Sequence, residues 1–448
     1  MHGNKGEEER QPLVLSTEKE QSSTCRKKAP FKRRRRLDVC LRMIASATLG
    51  LGSGVCFAFS YLIRPVQMAC PAWSSSSTVY GFSGAMAVSA IFGLFVPSLT
   101  AKLSARTVVV AVTLTFGLSF GLSGLGTQLC QTAGSPVITE ILYVVGLSTV
   151  GLPSFWAFLF SFQLLVEVIP RRVGLAGGTF ATGYTAGAQV FSQLILALTK
   201  IDGMTAGSVQ FVIGIIVVLL CTLSIFFVPD KKVESGAESK SSVEAAPLQK
   251  AMPLPLLLRR CSSILTSFFL TIALALSCGV VAHLALILDA LWNTDTPPRA
   301  ALTGFAFAFY LAGRLTWTVA SDCIGIKRIC LISVALQGCT FGFLAWLSWK
   351  PPVDDWSGYL GEILIFFYLF ICSVCKSNSL SIFYVMLGKE NEKNALRLSS
   401  IAGGIGCFVG PLFIDAMYNA FKSYFPFYVT SSCLCLVSLI FVFAKPLT

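Results

Sequence analysis

The chain has 448 residues, of which 54% are hydrophobic and 13% charged, and its mean hydropathy is +0.72. A water-soluble chain of this length carries nearer a quarter of its residues as charges, so a soluble globular enzyme is excluded. The net charge of +13 is not a nucleic-acid footprint, because the cations gather in short runs between long apolar segments.

Residues 1–38 form a polar leader that ends in the run Arg33–Arg36. Its composition predicts a disordered tail. Within it, Glu9 to Val14 (ERQPLV) approximates an acidic dileucine sorting signal, with Val14 where leucine is usual. Motifs that short also arise by chance. The first apolar run is of full span length, so no cleavable signal peptide is expected.

Twelve apolar segments follow. The first six are Met43–Ile63, Val79–Leu99, Thr107–Gln128, Thr139–Val166, Gly174–Leu198 and Val209–Val228. The second six are Leu265–Leu288, Ala300–Ala320, Ile329–Leu347, Leu360–Leu387, Leu396–Tyr418 and Pro426–Ala444. Each is long enough to cross a bilayer, and at that depth every backbone polar group must be bonded internally. The fold class is therefore all-α polytopic membrane protein, with twelve transmembrane helices, called spans 1 to 12 below. A Ser-, Glu-, Lys- and Pro-rich stretch separates spans 6 and 7. It divides the chain into a first six-helix bundle (39–228), a linker (229–260) and a second bundle (261–448), with a central cavity expected between the bundles.

The cationic runs lie before span 1 and between spans 2 and 3, 4 and 5, 6 and 7, 8 and 9, and 10 and 11. All fall on one side if the spans alternate, which predicts that both termini are cytoplasmic. The membrane itself, plasma or endolysosomal or another organelle's, is left open. The sixteen cysteines show no metal spacing. Cys372 and Cys375 read as small packing residues, and Cys70 and Cys130 share the other side, where the sequence does not decide whether they pair.

Span 5 carries Gly174/Gly178 and Gly183/Gly187, and span 11 carries Gly406/Gly410. That interval lets helix backbones approach closely, either where bundles rock or in ordinary packing. The turn after span 8, Ser321 to Arg328, is repeated weakly after span 2, where Thr100 stands at the acid position. Asp322 is thus a candidate conformational latch, paired with Lys327, Arg328 or a nearby helix terminus.

Arg314 lies well inside span 8, where a central charge costs on the order of 3 kcal/mol on insertion scales. A chain bearing that cost gives the charge a cavity, a counter-ion or an anionic ligand. Lys376 lies in span 10. Counted from the ends away from the basic loops, both cations are roughly 14 to 16 residues deep, ~20–25 Å at 1.5 Å per residue. Two cations at one depth suit a carboxylate, held by bidentate bonds to the guanidinium. Trp156, Tyr184 and Tyr310 are candidates to wall the same site, and Trp317 stands beside them. His283 in span 7 is a candidate for proton coupling or a helix–helix bond. Asp415, near the outer end of span 11, is a candidate for coupling or an interfacial contact.

These residues together resemble the major facilitator superfamily, and within it the oxalate/formate antiporter and monocarboxylate transporter group. The carriers of the resemblance are GVCFAFSYLIRPVQ with PAWSSSS, then PRRVGLAGG with Arg171, Arg172 and Gly174, and GRLTWTVASDCIGIKR from Gly313. It spans nearly the whole chain and implies that Arg314 is the substrate arginine. The departures are Tyr310 where proton-coupled carriers place an acid, and no lysine inside span 1, whose nearest cations are Arg42 and Arg64. Span 11 also lacks the lysine of oxalate carriers, and Lys376 stands in span 10 instead.

No G-x-S-x-G, H-E-x-x-H or Walker loop is present, so neither an enzyme nor an ATP-driven pump is expected, and no cofactor or metal. The expected partners are a small carboxylate substrate and the lipid bilayer; any accessory subunit is left open. The sequence therefore predicts an alternating-access carrier of small organic anions, monocarboxylates such as pyruvate or lactate, or small dicarboxylates. Two alternatives stand beside it: an amino-acid or other nutrient facilitator of the same fold, and a non-transporting membrane sensor.

Overall fold

The computed structural model describes residues 21–74, 76–132, 135–170, 172–229, 261–292, 300–349, 355–388 and 391–444. The sorting-like segment Glu9–Val14, Arg171 and nearly all of the linker lie outside them. Regular structure among the described residues is helical. Span 1 joins Gln21–Ser53, a 3₁₀ stretch Gly54–Leu62 and Ile63–Ala69. Span 2 is Ser77–Gly93 followed by Val96–Thr100, and span 3 is Ala105–Thr132. Span 4 is Pro136–Thr149 with Gly151–Val166, span 5 is Val173–Leu198 and span 6 is Ala206–Ser224. Span 7 is Cys261–Ala282 with Leu284–Trp292, span 8 is Ala300–Ile324 and span 9 is Ile326–Trp349. Asp355–Leu387, Glu392–Phe421 and Phe425–Ala444 are spans 10, 11 and 12.

One boundary differs from expectation. The first helix begins at Gln21, inside the segment predicted to be disordered. Lys and Arg are good helix formers, so the basic run extends the helix of span 1 outward instead of breaking it.

Eight of the described helices are long and apolar enough to cross a membrane by themselves. Span 12 is apolar over Phe425–Ile440, and spans 2, 5 and 8 fall short of that standard for a packing reason. Span 5 is rich in Gly, Thr and Ala, and span 8 carries Arg314; they pack on each other, as span 2 packs on span 11. Helices facing protein need less apolar surface than helices facing lipid.

The small residues of span 5 serve two different interfaces. Gly183 and Gly187 lie against the backbone of span 1 at Ala47 and Leu51, whereas Gly174 and Gly178 face Ser321, Asp322 and Thr318 of span 8. The first contact is within a bundle and the second is between bundles. In the second bundle Gly406 and Gly410 lie against Thr271 and Ala275 of span 7, matching the first. At the end remote from the basic loops, Cys70 and Cys130 are joined in a disulfide that ties the loop after span 1 to the end of span 3.

Gly54, where span 1 narrows to the 3₁₀ stretch, has the backbone of Tyr184 and Ala188 where a Cβ would stand. Backbone cannot move aside as a side chain can, so Gly54→Val is expected to cost more than the ~1–3 kcal/mol of ordinary overpacking. Thermal unfolding in detergent should show a clear drop in Tm or a loss of monodisperse protein. A Tm within a degree of the parent would mean that spans 1 and 5 do not meet this closely.

Candidate functional site

A cavity of about 80 Å³ lies between the two bundles. At ~30 Å³ per water in the liquid it has room for a few solvent molecules. Met86 and Ser89 of span 2, Phe155 and Phe158 of span 4, and Phe180 and Tyr184 of span 5 wall one side. Arg314 of span 8, Lys376 and Ser379 of span 10, and Ser399 of span 11 wall the other. Both cations predicted from depth alone thus reach one cavity. Among the described residues no Asp, Glu or His lines it.

Arg314 is 1% exposed. One terminal nitrogen donates to the Ala181 carbonyl of span 5, and the other donates to the Tyr310 hydroxyl at 3.2 Å. The guanidinium lies 4.6 Å from the Tyr310 ring centroid and 5.8 Å from that of Tyr184. Its Nε is buried without a hydrogen-bond partner. Among the described residues no carboxylate pairs with it. A guanidinium carries five N–H donors in a planar fork and cannot lose its proton, so donor capacity is left for an acceptor in the cavity.

Lys376 places its ammonium 3.8 Å from the Phe57 ring centroid and 5.7 Å from that of Tyr184, and donates to the Cys278 sulfur at 3.3 Å. Tyr184 is therefore an aromatic floor shared by both cations. Ring faces attract cations but leave their outward hemispheres free for anions.

The structure places the remaining predicted residues elsewhere. Tyr310 is fully buried behind Arg314 and holds it, rather than lining the cavity. Trp156 points away: its indole donates to Thr100 at 3.3 Å and its ring packs on Phe92. Trp317 donates to the Phe370 carbonyl at 3.1 Å. His283 sits buried at the break in span 7, and both its ring nitrogens lack a hydrogen-bond partner. Asp415 accepts from Ser76 at 3.2 Å, a contact between bundles at the end remote from the basic loops. Neither lines the cavity. Arg42 is consumed by Asp38 and Glu167 at the basic end, and Arg64 by Asp289 at the other. Phe57 and the Cys278–Cys407 pair were not anticipated. The only signal for them was equal depth with Lys376 on neighbouring spans.

Contacts join the two bundles toward both ends. At the basic end Asp322 accepts from the Gly174 N–H at 3.2 Å, the first turn of span 5. Of the alternatives open in the sequence, the helix terminus is the partner, and Lys327 and Arg328 extend exposed. An anion there also meets the positive end of the helix dipole. The related contact between spans 2 and 11 has reversed polarity. Arg397, at the start of span 11, donates to the Leu94 carbonyl at 3.2 Å and to Ser98 at 3.1 Å. Thr100, which stands where an acid would, instead accepts from Trp156. At the other end Arg64 of span 1 pairs with Asp289 of span 7 at 2.7 Å.

No protein-family model and no curated protein matches the sequence. Among solved structures, the chain is similar to XylE, a major facilitator superfamily proton:xylose symporter bound to 6-bromo-6-deoxy-D-glucose. The TM-score is 0.69 at 13% identity, over 91% of this chain and 95% of that one. Identity that low speaks for the fold alone. The chain has the major facilitator fold and is an integral, multi-pass membrane protein.

Asp322→Ala removes the charge and the acceptor that hold spans 5 and 8 together at the basic end. A charge-assisted bond of ~1.5–3 kcal/mol corresponds to a shift of tenfold or more between closed and open states. A cysteine placed at Ser399 should then be alkylated faster from the basic side, and Asp322→Asn, which keeps an acceptor, should fall between. Equal labelling rates in all three proteins would reduce the turn to a connector.

Proposed function

We propose that the protein is a secondary carrier of small organic anions, working by alternating access between the two bundles. The observation that carries this is Arg314. It is a buried guanidinium without a carboxylate partner, on the wall of a cavity that Lys376 also reaches and that no described acid lines. Only anionic cargo makes use of that charge balance. The cavity volume suits a monocarboxylate of pyruvate or lactate size, or a small dicarboxylate, and the apolar wall of Phe155, Phe158 and Met86 suits a short carbon chain. An amino acid is less well served, because its ammonium would need an acid, and Asp415 is engaged with Ser76 outside the cavity. A sensor has no need of an apolar-walled cavity that two buried cations reach, set between bundles held by separable contacts. The resemblance to the oxalate/formate and monocarboxylate carriers supports the same substrate class from motif residues alone.

The orientation belongs to the same proposal: both termini and the basic loops face the cytosol. The Cys70–Cys130 disulfide supports it, since it lies at the opposite end, where an oxidising compartment would favour it. A tag on either terminus should be labelled once the plasma membrane alone is permeabilised, with organelle membranes intact, and should stay unlabelled in intact cells. Labelling of intact vesicles that expose the opposite face would invert the assignment.

The substrate site is tested by uptake of labelled carboxylates into liposomes holding equal amounts of each variant. Arg314→Lys keeps the charge and loses the fork, so flux should fall on the order of tenfold or more. Arg314→Ala should abolish it. Lys376→Ala should reduce dicarboxylate uptake more than monocarboxylate uptake, because only a dianion uses the second cation. Carboxylate flux at parental rates in Arg314→Ala would leave that arginine a structural residue and remove the main support for anion transport.

A further inference from the structure

Beyond the two cations, the cavity borders a pair of thiols. Cys278 of span 7 and Cys407 of span 11 have their sulfur atoms 2.8 Å apart. The close helix packing at Gly406 and Gly410 holds them there. Cys278 is fully buried, whereas Cys407 lies on the cavity wall and is 6% exposed. The Lys376 ammonium donates to the Cys278 sulfur from the far side. An adjacent thiol and a cation on the sulfur, beside a cavity of solvent size, favour a reactive dithiol. The other buried cysteines lack this combination. Cys56 meets a serine hydroxyl rather than a second thiol, and Cys221 and Cys435 lie off the cavity.

We infer that Cys278 and Cys407 form an oxidisable dithiol site that closes to a disulfide when hydrogen peroxide enters the cavity. Cys278, as the thiolate beside Lys376, attacks one peroxide oxygen; the O–O bond breaks, a sulfenic acid forms and hydroxide leaves. The hydroxide takes up the proton that Cys278 had released, giving one water. The Cys407 sulfur then attacks the sulfenic sulfur; the S–O bond breaks, and the departing hydroxide leaves with the Cys407 proton as a second water. Two thiols are oxidised and one peroxide is reduced. The product ties span 7 to span 11 and deprives the Lys376 ammonium of its sulfur partner. The cross-link stands independently of the transport reading; its effect on flux rests on that reading.

The test uses the full chain in liposomes, exposed to hydrogen peroxide, with remaining thiols then alkylated and disulfides mapped by mass spectrometry. A Cys278–Cys407 peptide should form at peroxide concentrations that leave Cys40 and Cys323 alkylated as free thiols, and dithiothreitol should reverse it. Lys376→Met should slow its formation roughly tenfold, since the thiolate loses its cation. In Cys407→Ser the sulfenic acid has no resolving thiol, so dimedone should add to the Cys278 peptide, a label that does not depend on transport. Carboxylate uptake should fall with the oxidised fraction and return on reduction. Free thiols at both positions while exposed cysteines oxidise would overturn the site. A quantitative cross-link with unaltered uptake, in protein whose uptake Arg314→Ala abolishes, would overturn its effect on transport while leaving the carrier reading intact.

Discussion

The structure depends on a positive charge kept in a low-dielectric interior without a fixed negative partner. Isolated in hydrocarbon, Arg314 would cost several kcal/mol, and the protein offsets this with a carbonyl, a phenol and two aromatic faces. Each is neutral, so the charge is solvated but not cancelled. The carbonyl belongs to the opposite bundle, at Ala181 of span 5, so Arg314 also joins the bundles at mid-depth. A ligand that draws the guanidinium toward itself would compete with that joint. Under the proposed reading, anion binding and the contact between bundles are linked through one side chain.

The pseudo-symmetry of the two bundles is kept in backbone packing and broken in chemistry. Spans 1 and 5 meet as spans 7 and 11 do, through glycines that let one backbone lie on another. The polar groups do not follow this symmetry. Both cavity cations and both charged groups that close the basic end, Asp322 and Arg397, come from the second bundle. The first bundle offers them carbonyls, an amide, a hydroxyl and aromatic rings. The first bundle is thus the neutral wall against which the second works.

Much of the fold was legible because the bilayer leaves few choices: twelve apolar segments of span length must be helices, and all twelve fall where the residues put them. Depth was legible too, since rise per residue is constant, and it brought Arg314 and Lys376 to one level. The face of a helix was harder to read. Trp156, at a suitable depth, turns toward Thr100, and a segment apolar on all sides carries no periodicity to reveal this. Phe57 was hidden among thirty-five phenylalanines. The partner of Asp322 was left open between neighbouring cations and a helix terminus; which terminus, an amide 148 residues away, only the packing of spans 5 and 8 decides. The helical start at Gln21 was missed because charge density was read as disorder, although Lys and Arg also favour helix.

The closures at the two ends differ in how ionic strength acts on them. At the basic end a carboxylate meets an amide and a guanidinium meets a carbonyl and a hydroxyl, so neither contact is an ion pair. At the other end Arg64 and Asp289 are a true ion pair, with side chains 71% and 38% exposed. Such a pair is screened over about 8 Å at physiological salt, and more closely above it, whereas short hydrogen bonds to neutral groups are little affected. Rising salt therefore loosens one gate and spares the other. The composition of the medium on that single side thus sets how firmly the two bundles are held together there.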